Sequence, residues 1–230
     1  MIWLRSALFM LWFLAVTIVL SLVFLPVLLL PRGATQWLAQ MWSCVTFFGL
    51  KWIAGIDWEI RGQRPTTPVL VAAKHMSMWD TLALWLALDA PAIVLKRELL
   101  RIPFYGWFLW KGAAIAIDRR AGASALRRMS EQARAALAEG RPVLIFPEGT
   151  RKAPGAAPDY KPGVAGLYGQ LDVACVPVAL NSGVYWKGFR KYPGTIVLEF
   201  LPPIPPGLKR AEFMTRLETS IETTTAALLP

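Results

Sequence analysis

An uncharged stretch of 26 residues, from Ser6 to Pro31, constrains the fold of this chain more than any other feature. An apolar helix of about 20 residues suffices to cross the hydrocarbon core of a bilayer. Residues Ile2–Leu30 are therefore predicted to form a spanning or deeply embedded helix. A cleaved signal peptide is the alternative, but its apolar region usually has about 7–15 residues and an A-x-A-like site follows it. This stretch is longer and lacks such a site, so we expect a retained membrane anchor.

A second uncharged stretch, Gly33 to Leu50, follows a helix-stop and turn signal at residues 31–33. The tryptophans around it are typical of a helix near the level of the lipid headgroups; they are Trp37, Trp42 and Trp52. Residues 1–54 are thus predicted to form a membrane-embedded anchor of one or two helices, and residues 55–230 a globular domain. One span plus an interfacial helix and a re-entrant hairpin both fit this pattern.

The net charge of the chain is +10, of which residues 51–230 carry +8 because the first 50 residues contribute Arg5 and Arg32. A basic domain beside a membrane anchor suits anionic headgroups or phosphorylated substrates. Nucleic acid would explain the same charge, but the membrane segment argues against it as a partner. Cys44 lies in an apolar stretch and Cys175 in a strand-like run, so the sequence suggests neither a disulfide nor a metal site.

Residues 51–230 alternate between short apolar runs and helical patterns, which is typical of an α/β domain. Several runs are continuously apolar, as expected for strands covered on both faces. We therefore predict a mostly parallel central sheet flanked by helices, preceded by the N-terminal membrane-embedded segment. The predicted strands are Pro68–Ala73, Ala92–Leu95, Ala113–Ile117, Pro142–Phe146, Ala174–Leu180 and Ile196–Leu201. The predicted helices are Thr81–Leu88, Ser124–Glu139, Gly163–Gln170 and Lys209–Leu229.

His75, the only histidine, lies in the segment that directly follows the predicted strand Pro68–Ala73. In an open α/β sheet, ligands usually bind at the carboxyl ends of the strands. Asp80 is five residues further on, and on a regular helix the two side chains would point about 140° apart. They can meet if His75 stays in the loop and Asp80 opens the next helix as its cap. Asp80 would then accept one imidazole N–H and leave the other nitrogen free as a base.

Plainer interpretations of this segment stay open on spacing alone. His75 could be a hydrogen-bonded loop histidine and Asp80 only a helix cap, because a His-x4-Asp spacing is short and degenerate. Ser77 is a weaker candidate as a nucleophile, since no Gly-x-Ser-x-Gly elbow surrounds it.

A second candidate segment, Phe146-Pro147-Glu148-Gly149-Thr150-Arg151, also follows a predicted strand. If the strands are parallel, this loop opens on the same sheet edge as His75. Gly149 permits close approach of the backbone, and Thr150 and Arg151 supply donors for an anion such as phosphate. The alternative is a simple turn closed by a local salt bridge between Glu148 and Arg151. A third segment begins at Lys96 and ends at Arg119; on its own it indicates a solvated basic turn.

Together these segments resemble the 1-acylglycerol-3-phosphate acyltransferases of the glycerolipid acyltransferase superfamily. His75-x4-Asp80 matches the first motif of that family, and residues 146–151 match the third without a mismatch. The second motif is matched in order by Lys96, Glu98, Leu99, Pro103, Gly106, Gly112 and Ile117-Asp118-Arg119, and the fourth by Val176-Pro177-Val178 and Asn181-Ser182-Gly183. The ordered set is more specific than any single motif and covers roughly residues 65–205. Lys74 departs from the pattern, because many members have asparagine there.

The resemblance implies that His75 removes the proton from the sn-2 hydroxyl of a lysophosphatidic acid as this oxygen attacks an acyl thioester, giving phosphatidic acid. Asp80 would orient His75. The acceptor's phosphate would be held by Lys96, Arg119 and Arg151, and the glycerol-binding loop would be shaped by Glu148, Gly149 and Thr150. Acyl-CoA or acyl carrier protein would be the co-substrate, with no other cofactor and no metal, because a thioester is already activated.

A membrane anchor suits such an enzyme, because moving an acyl tail from the bilayer into water costs about 0.8 kcal/mol per CH₂. Acyl thioesters are made in the cytoplasm, so the expected location is the bacterial inner membrane with the active site on the cytoplasmic side. Three alternatives stay open: an acyltransferase for another lysolipid, such as lyso-ornithine lipid or lysophosphatidylglycerol; a thioester or ester hydrolase using the same pair; and a basic membrane-binding scaffold.

Overall fold

A mixed sheet forms the centre of the fold in the computed structural model, which describes residues 1–118 and 122–230. Its strands are β1 (Ile56–Arg61), β2 (Leu70–Ala73), β3 (Ala92–Lys96), β4 (Ile115–Ile117), β5 (Val143–Ile145), β6 (Cys175–Leu180) and β9 (Gly194–Phe200). Their order across the sheet is β1-β9-β6-β2-β5-β3-β4. Neighbouring strands are parallel except that β6 and β9 run antiparallel. The predicted fold class, a mostly parallel sheet flanked by helices, is confirmed.

Helices cover both faces of this sheet. They are α1 (Ile2–Val23), α2 (Arg32–Gly49), α3 (Trp79–Ala87), α4 (Tyr105–Lys111), α5 (Gly122–Ala138), α6 (Gly163–Leu171), α7 (Ser182–Tyr185) and α8 (Arg210–Ala227). A separate hairpin consists of β7 (Trp186–Lys187) and β8 (Arg190–Lys191).

Strand β2 divides the core into two layers. Its four residues are all buried, and successive side chains point to opposite faces. Val71 packs in one cluster with residues of α1, α2 and α3, and Leu70 packs in the other with residues of α5, α6 and α8. Burial on both faces is the reason why this strand is continuously apolar in the sequence.

Helices α1 and α2 form an antiparallel pair joined by a short 3-10 turn at Leu25–Leu29. The indole of Trp12 donates to the carbonyl of Val45 at 3.2 Å, and the indole of Trp42 donates to the hydroxyl of Thr17 at 3.0 Å. Helix α1, with 22 residues, is long and apolar enough to cross a membrane, and it is the one such helix within the described residues. Its length and composition indicate membrane association.

The α1–α2 pair is also packed onto the domain. Phe9 is fully buried and packs edge-to-face against Trp186 at 5.5 Å between ring centroids. Arg5 donates to the carbonyl of Ile53 at 2.7 Å, near the N-terminal end of α1. Residues of α1 and α2 thus share one apolar cluster with the central sheet.

Candidate active site

His75 and Asp80 meet at the carboxyl end of β2. The Nδ1 atom of His75 lies 2.9 Å from Oδ2 of Asp80, and the two side chains are 12% and 0% exposed. The imidazole stacks on Phe146 with 4.0 Å between ring centroids. With Asp80 accepting the Nδ1 proton, the Nε2 atom of the ring carries the lone pair.

Five donor groups lie within hydrogen-bond distance of the Asp80 carboxylate. Besides His75, the backbone N–H groups of Met76 and Ser77 donate to Oδ2 at 2.6 and 2.9 Å. The hydroxyl of Ser182 donates to Oδ1. The hydroxyl of Ser77 lies 3.3 Å from the same Oδ1 and 2.8 Å from the hydroxyl of Ser182. The orientation of this carboxylate is therefore fixed by contacts on both of its oxygens.

Helix α3 begins two residues earlier than the sequence predicts. The predicted helix starts at Thr81 with Asp80 as its cap, whereas Met78 is the capping residue and Asp80 lies in the first turn. The expected contact with His75 still forms, because Asp80 reaches back to the amides that precede the helix. A carboxylate in the first turn also interacts favourably with the positive end of the helix dipole.

Ser77 is not placed to act as a nucleophile. Its side chain is buried, and its hydroxyl lies 2.8 Å from the Ser182 hydroxyl and 3.3 Å from Oδ1 of Asp80 and accepts from the N–H of Trp79 at 3.2 Å. The hydroxyl belongs to the support of Asp80, in agreement with the missing nucleophile elbow in the sequence.

The loop at residues 147–152 docks directly onto the His75 loop. The N–H of Lys152 donates to the carbonyl of His75 at 2.9 Å, and the N–H of Lys161 donates to the carbonyl of Pro147 at 2.9 Å. Strands β2 and β5 are parallel neighbours, so both loops leave the sheet at the same edge. Gly149 has a φ of 64°, a left-handed conformation that glycine adopts without strain.

Glu148 faces away from Arg151. It is 1% exposed and pairs with the ammonium of Lys74 at 3.0 Å. Burial raises the pKa of the Glu148 carboxyl, and the hydrogen bond from Lys74 opposes that rise. The alternative of a local Glu148–Arg151 salt bridge is wrong, because the buried side of the loop holds the carboxylate and the exposed side holds Arg151.

The remaining predicted phosphate ligands lie at the same edge or outside the described residues. Thr150 and Arg151 are both exposed in the 147–152 loop. Lys96 is exposed at the carboxyl end of β3, which is parallel to β5 and adjacent to it. Arg119 lies outside the described residues. In the described ranges, no group of three or more His, Cys, Asp or Glu side chains is arranged to hold a metal ion.

An apolar cavity of about 150 Å³ lies between the α1–α2 pair and the domain. Helices α1, α2, α3 and α4 all contribute to its wall, including Leu20, Leu38, Trp42, Leu82, Trp85 and Phe108. Thr81, which directly follows Asp80, also lines it. An apolar space therefore begins next to the polar site.

Several residues of the site could not be identified from their sequence spacing. Ser182 belongs to a segment that matches the fourth family motif, but nothing in the spacing shows that it contacts Asp80. Lys74, Tyr160 and Glu222 form a connected group behind Glu148. Of these, only Lys74 stood out in the sequence, as a departure from the family pattern.

The site lies within a segment that matches a known family. The family model described as Acyltransferase matches residues 56–181, more than half of the 230-residue chain. The chain belongs to this acyltransferase family. His75, Asp80 and Arg151 fall within the matched residues, whereas Ser182 and Glu222 lie beyond them.

Curated relatives of this acyltransferase carry closely related names. The 1-acyl-sn-glycerol-3-phosphate acyltransferase of Pseudomonas aeruginosa is 38% identical over 169 residues, which are 72% of this chain and 66% of that enzyme. The human 1-acyl-sn-glycerol-3-phosphate acyltransferase alpha is 34% identical over 163 residues, 68% of this chain and 58% of the relative. The lysophospholipid acyltransferase LPCAT4 of mouse is 33% identical over 189 residues, 74% and 36% of the two chains. The chain thus matches less than two thirds of the length of each of these relatives.

A solved structure shares the complete fold of this acyltransferase. The crystal structure of the 1-acyl-sn-glycerophosphate (LPA) acyltransferase PlsC from Thermotoga maritima superposes with a TM-score of 0.81. The match covers 99% of this chain and 98% of that chain at 22% sequence identity. The N-terminal helices and the C-terminal helix α8 are therefore part of a fold that another acyltransferase also has.

Proposed function

We propose that this acyltransferase moves a fatty acyl group from an acyl thioester to the sn-2 hydroxyl of lysophosphatidic acid, giving phosphatidic acid. The observation that carries this proposal is the 2.9 Å contact between His75 and a fully buried Asp80, at the sheet edge where Arg151 is exposed. The names of the Pseudomonas and human relatives support lysophosphatidic acid as the acceptor.

His75 acts as the general base in this proposal. As the acceptor oxygen bonds to the thioester carbonyl carbon, Nε2 of His75 takes the hydroxyl proton. Asp80 stabilises the imidazolium that results. Collapse of the tetrahedral adduct then breaks the carbon–sulfur bond, and the imidazolium returns its proton to the thiolate. The products are the new ester and a free thiol, so no covalent acyl-enzyme is required.

The acceptor's phosphate is held at the exposed basic groups of this edge. A guanidinium forms two parallel hydrogen bonds with a phosphate, and Arg151 is exposed beside the His75 loop. Lys96 and Arg119 add positive charge, and Glu148, Gly149 and Thr150 shape the loop that receives the glycerol. The co-substrate is acyl-CoA or acyl carrier protein, with no further cofactor and no metal, and an acyl chain occupies the cavity beside Thr81.

The α1–α2 pair anchors the enzyme in the bilayer from one side. Ser6 of α1 accepts from the backbone of Lys191, and at the opposite end of the pair Arg32 is ion-paired with Glu139 of the α5 end. Because the domain contacts both ends, we propose a re-entrant hairpin lying along the domain rather than a helix that carries one end across the membrane. Its outer face exposes Leu4, Leu8, Leu11 and Leu14. The membrane is the bacterial inner membrane, with the site on the cytoplasmic side.

A direct assay tests this function. The purified protein in detergent is given labelled acyl-CoA or acyl carrier protein with a panel of acceptors: lysophosphatidic acid, lysophosphatidylglycerol, lysophosphatidylcholine and lyso-ornithine lipid. We expect transfer to lysophosphatidic acid above the others. His75→Ala should lower kcat by about 10²–10⁴-fold, the usual contribution of a general base, with unchanged thermal unfolding. Free fatty acid released regardless of acceptor would instead identify a hydrolase.

A further inference from the structure

Lys74 links three distant parts of the chain directly behind the candidate catalytic loop. It precedes His75 at the end of β2 and is 2% exposed. Its ammonium lies 3.0 Å from Glu148 of the 147–152 loop, and 2.7 and 3.0 Å from the two carboxylate oxygens of Glu222 on α8. Tyr160 donates to Glu222 at 2.9 Å. One cation thus joins two carboxylates at the junction of the strand, the loop and the C-terminal helix.

The charges in this group depend on each other. An isolated charge in a protein interior is strongly unfavourable, so a buried carboxylate needs a partner. Within the described residues, Oε2 of Glu148 is buried and has no hydrogen-bond partner, so the contact of Oε1 with Lys74 is the main stabilisation of this carboxyl. Without Lys74, Glu148 and Glu222 would face each other with no cation between them.

The position of Glu148 determines what Arg151 can do. The two residues belong to one short turn, where a local ion pair between them would be the simplest arrangement. Lys74 instead holds the Glu148 carboxylate on the buried side. In the part of the chain that the structure describes, Arg151 therefore has no carboxylate partner and is exposed at the site.

We infer that Lys74 and Glu222 are positioning residues for the acceptor site. They hold Glu148, and with it the 147–152 loop, in the conformation that leaves Arg151 free for the acceptor's phosphate. Glu222 lies outside residues 56–181, so α8 becomes part of the support of the acceptor site. This inference rests on the proposed lysophosphatidic acid acyltransferase activity.

The kinetic test is the variant set Lys74→Met, Glu222→Gln and the double variant. A hydrogen bond to a charged group is worth about 1.5–3 kcal/mol, so Lys74→Met should raise KM for lysophosphatidic acid about 10–100-fold, with a smaller change in kcat. Glu222→Gln should have a weaker effect because Lys74 still holds Glu148. The double variant should have a lower KM than Lys74→Met. Once Lys74 is gone, the carboxylates of Glu148 and Glu222 repel each other; Glu222→Gln removes one of these negative charges, and its amide can donate to Glu148.

Lys191→Met provides the matched control, because Lys191 is also buried but lies on the β7–β8 hairpin. It should change stability without changing KM. Tyr160→Phe removes the second donor to Glu222. Like Glu222→Gln, it should raise KM for lysophosphatidic acid slightly. It gives a result even if Lys74→Met fails to fold. An unchanged KM in Lys74→Met, or a rise that Glu222→Gln does not relieve, would overturn the inference.

Hydrogen exchange tests the same inference without turnover. Lys74→Met should speed exchange in a peptide spanning residues 147–161, where the amides of Lys152 and Lys161 are bonded. Exchange in β5 should stay slow. A wild-type protein that acylates no lysolipid would contradict the proposed function alone, whereas unchanged exchange in the loop would contradict the positioning role.

Discussion

Asp80 has five donor groups within hydrogen-bond distance, while the imidazole of His75 is held by one hydrogen bond and a stacked phenyl ring. This difference suits a general base: the His75 imidazole must gain and lose a proton, while the orientation of the Asp80 carboxylate stays fixed. Two of the donors are backbone amides, which a side-chain substitution does not remove. Ser182 is a side-chain donor outside the His75 loop that mutation can delete, and it is 102 residues away from Asp80 in the chain.

Ser182→Ala should lower kcat and leave KM for lysophosphatidic acid nearly unchanged. It removes the closer of the two hydroxyl donors to Oδ1, the carboxylate oxygen that His75 does not contact; the Ser77 hydroxyl stays 3.3 Å from that oxygen. A single hydrogen bond contributes about 0.5–1.5 kcal/mol, so the expected loss is about 2–10-fold in kcat. Steady-state kinetics checks this, with Ser130→Ala as control because Ser130 is a buried serine whose hydroxyl donates to the carbonyl of Leu126 in the same helix, α5. Equal kcat values for the two variants would refute the role given to Ser182.

At this scale the sequence identified the residues that meet at the site better than the residues that support them. His75, Asp80 and residues 146–151 were identifiable because each follows an apolar strand and matches an ordered family motif. Lys74 and Glu222 are 148 residues apart, and their contact depends on where α8 packs, which no local spacing encodes. The predicted cap of α3 was also wrong. Met78 is the capping residue, and Asp80, in the first turn, accepts from His75 and from two backbone amides that precede the helix.

At the scale of elements, the packing of α1 on α2 depends on one position without a side chain. A Cβ built on Gly49 would lie 2.2 Å from the indole of Trp12, which is closer than non-bonded atoms approach. This indole also donates to Val45 of α2. Any larger residue at position 49 would therefore force the Trp12 indole or one of the two helices to shift.

Gly49→Ala should lower the stability of the protein by about 1–3 kcal/mol, the usual penalty of overpacking. Thermal unfolding in detergent measures the effect, and Trp12→Leu in the same chain should recover part of it. Gly33→Ala is the control, because Gly33 is also in α2 but a Cβ at that position would meet nothing within 4 Å. If both alanine variants unfold at the same temperature, the close approach at Gly49 has no energetic weight.

Elements that alternate polar and apolar residues were harder to predict than the buried strands. Strand β1 carries Asp57, Glu59 and Arg61, so it lacks a continuous apolar run. It lies at the edge of the sheet next to β9, where one face can stay partly exposed. The buried strands β2 and β5 were predicted because both of their faces are covered.

At the scale of the whole molecule, the β7–β8 hairpin directly precedes β9 in the chain and contacts the first helix, α1. The backbone N–H of Lys191 donates to Ser6 at 2.9 Å, and the ammonium lies 4.3 Å from the ring centre of Trp186. Burial lowers the pKa of the Lys191 amine to about 8 from its usual 10.5. The charged form is therefore less favourable in the folded protein than in the unfolded chain.

The stability of the fold should rise between about pH 8 and 10.5 because of this residue. Below pH 8 the amine is charged in both states, and the penalty for burying it is constant. Between the two pKa values the unfolded chain binds the extra proton, so raising the pH favours the folded state. Lys191→Met should abolish this component. Denaturant unfolding of both proteins across that range measures it, and parallel pH curves would show that Lys191 contributes nothing.

Finally, the cavity between the α1–α2 pair and the domain extends to Thr81, the residue next to Asp80. An acyl tail that enters it from the leaflet need never pass through water. The enzyme would then search for its acceptor in two dimensions. Its rate should follow the mole fraction of lysolipid in the surface and not the bulk concentration, so adding inert lipid or detergent at constant total substrate should slow it by dilution alone.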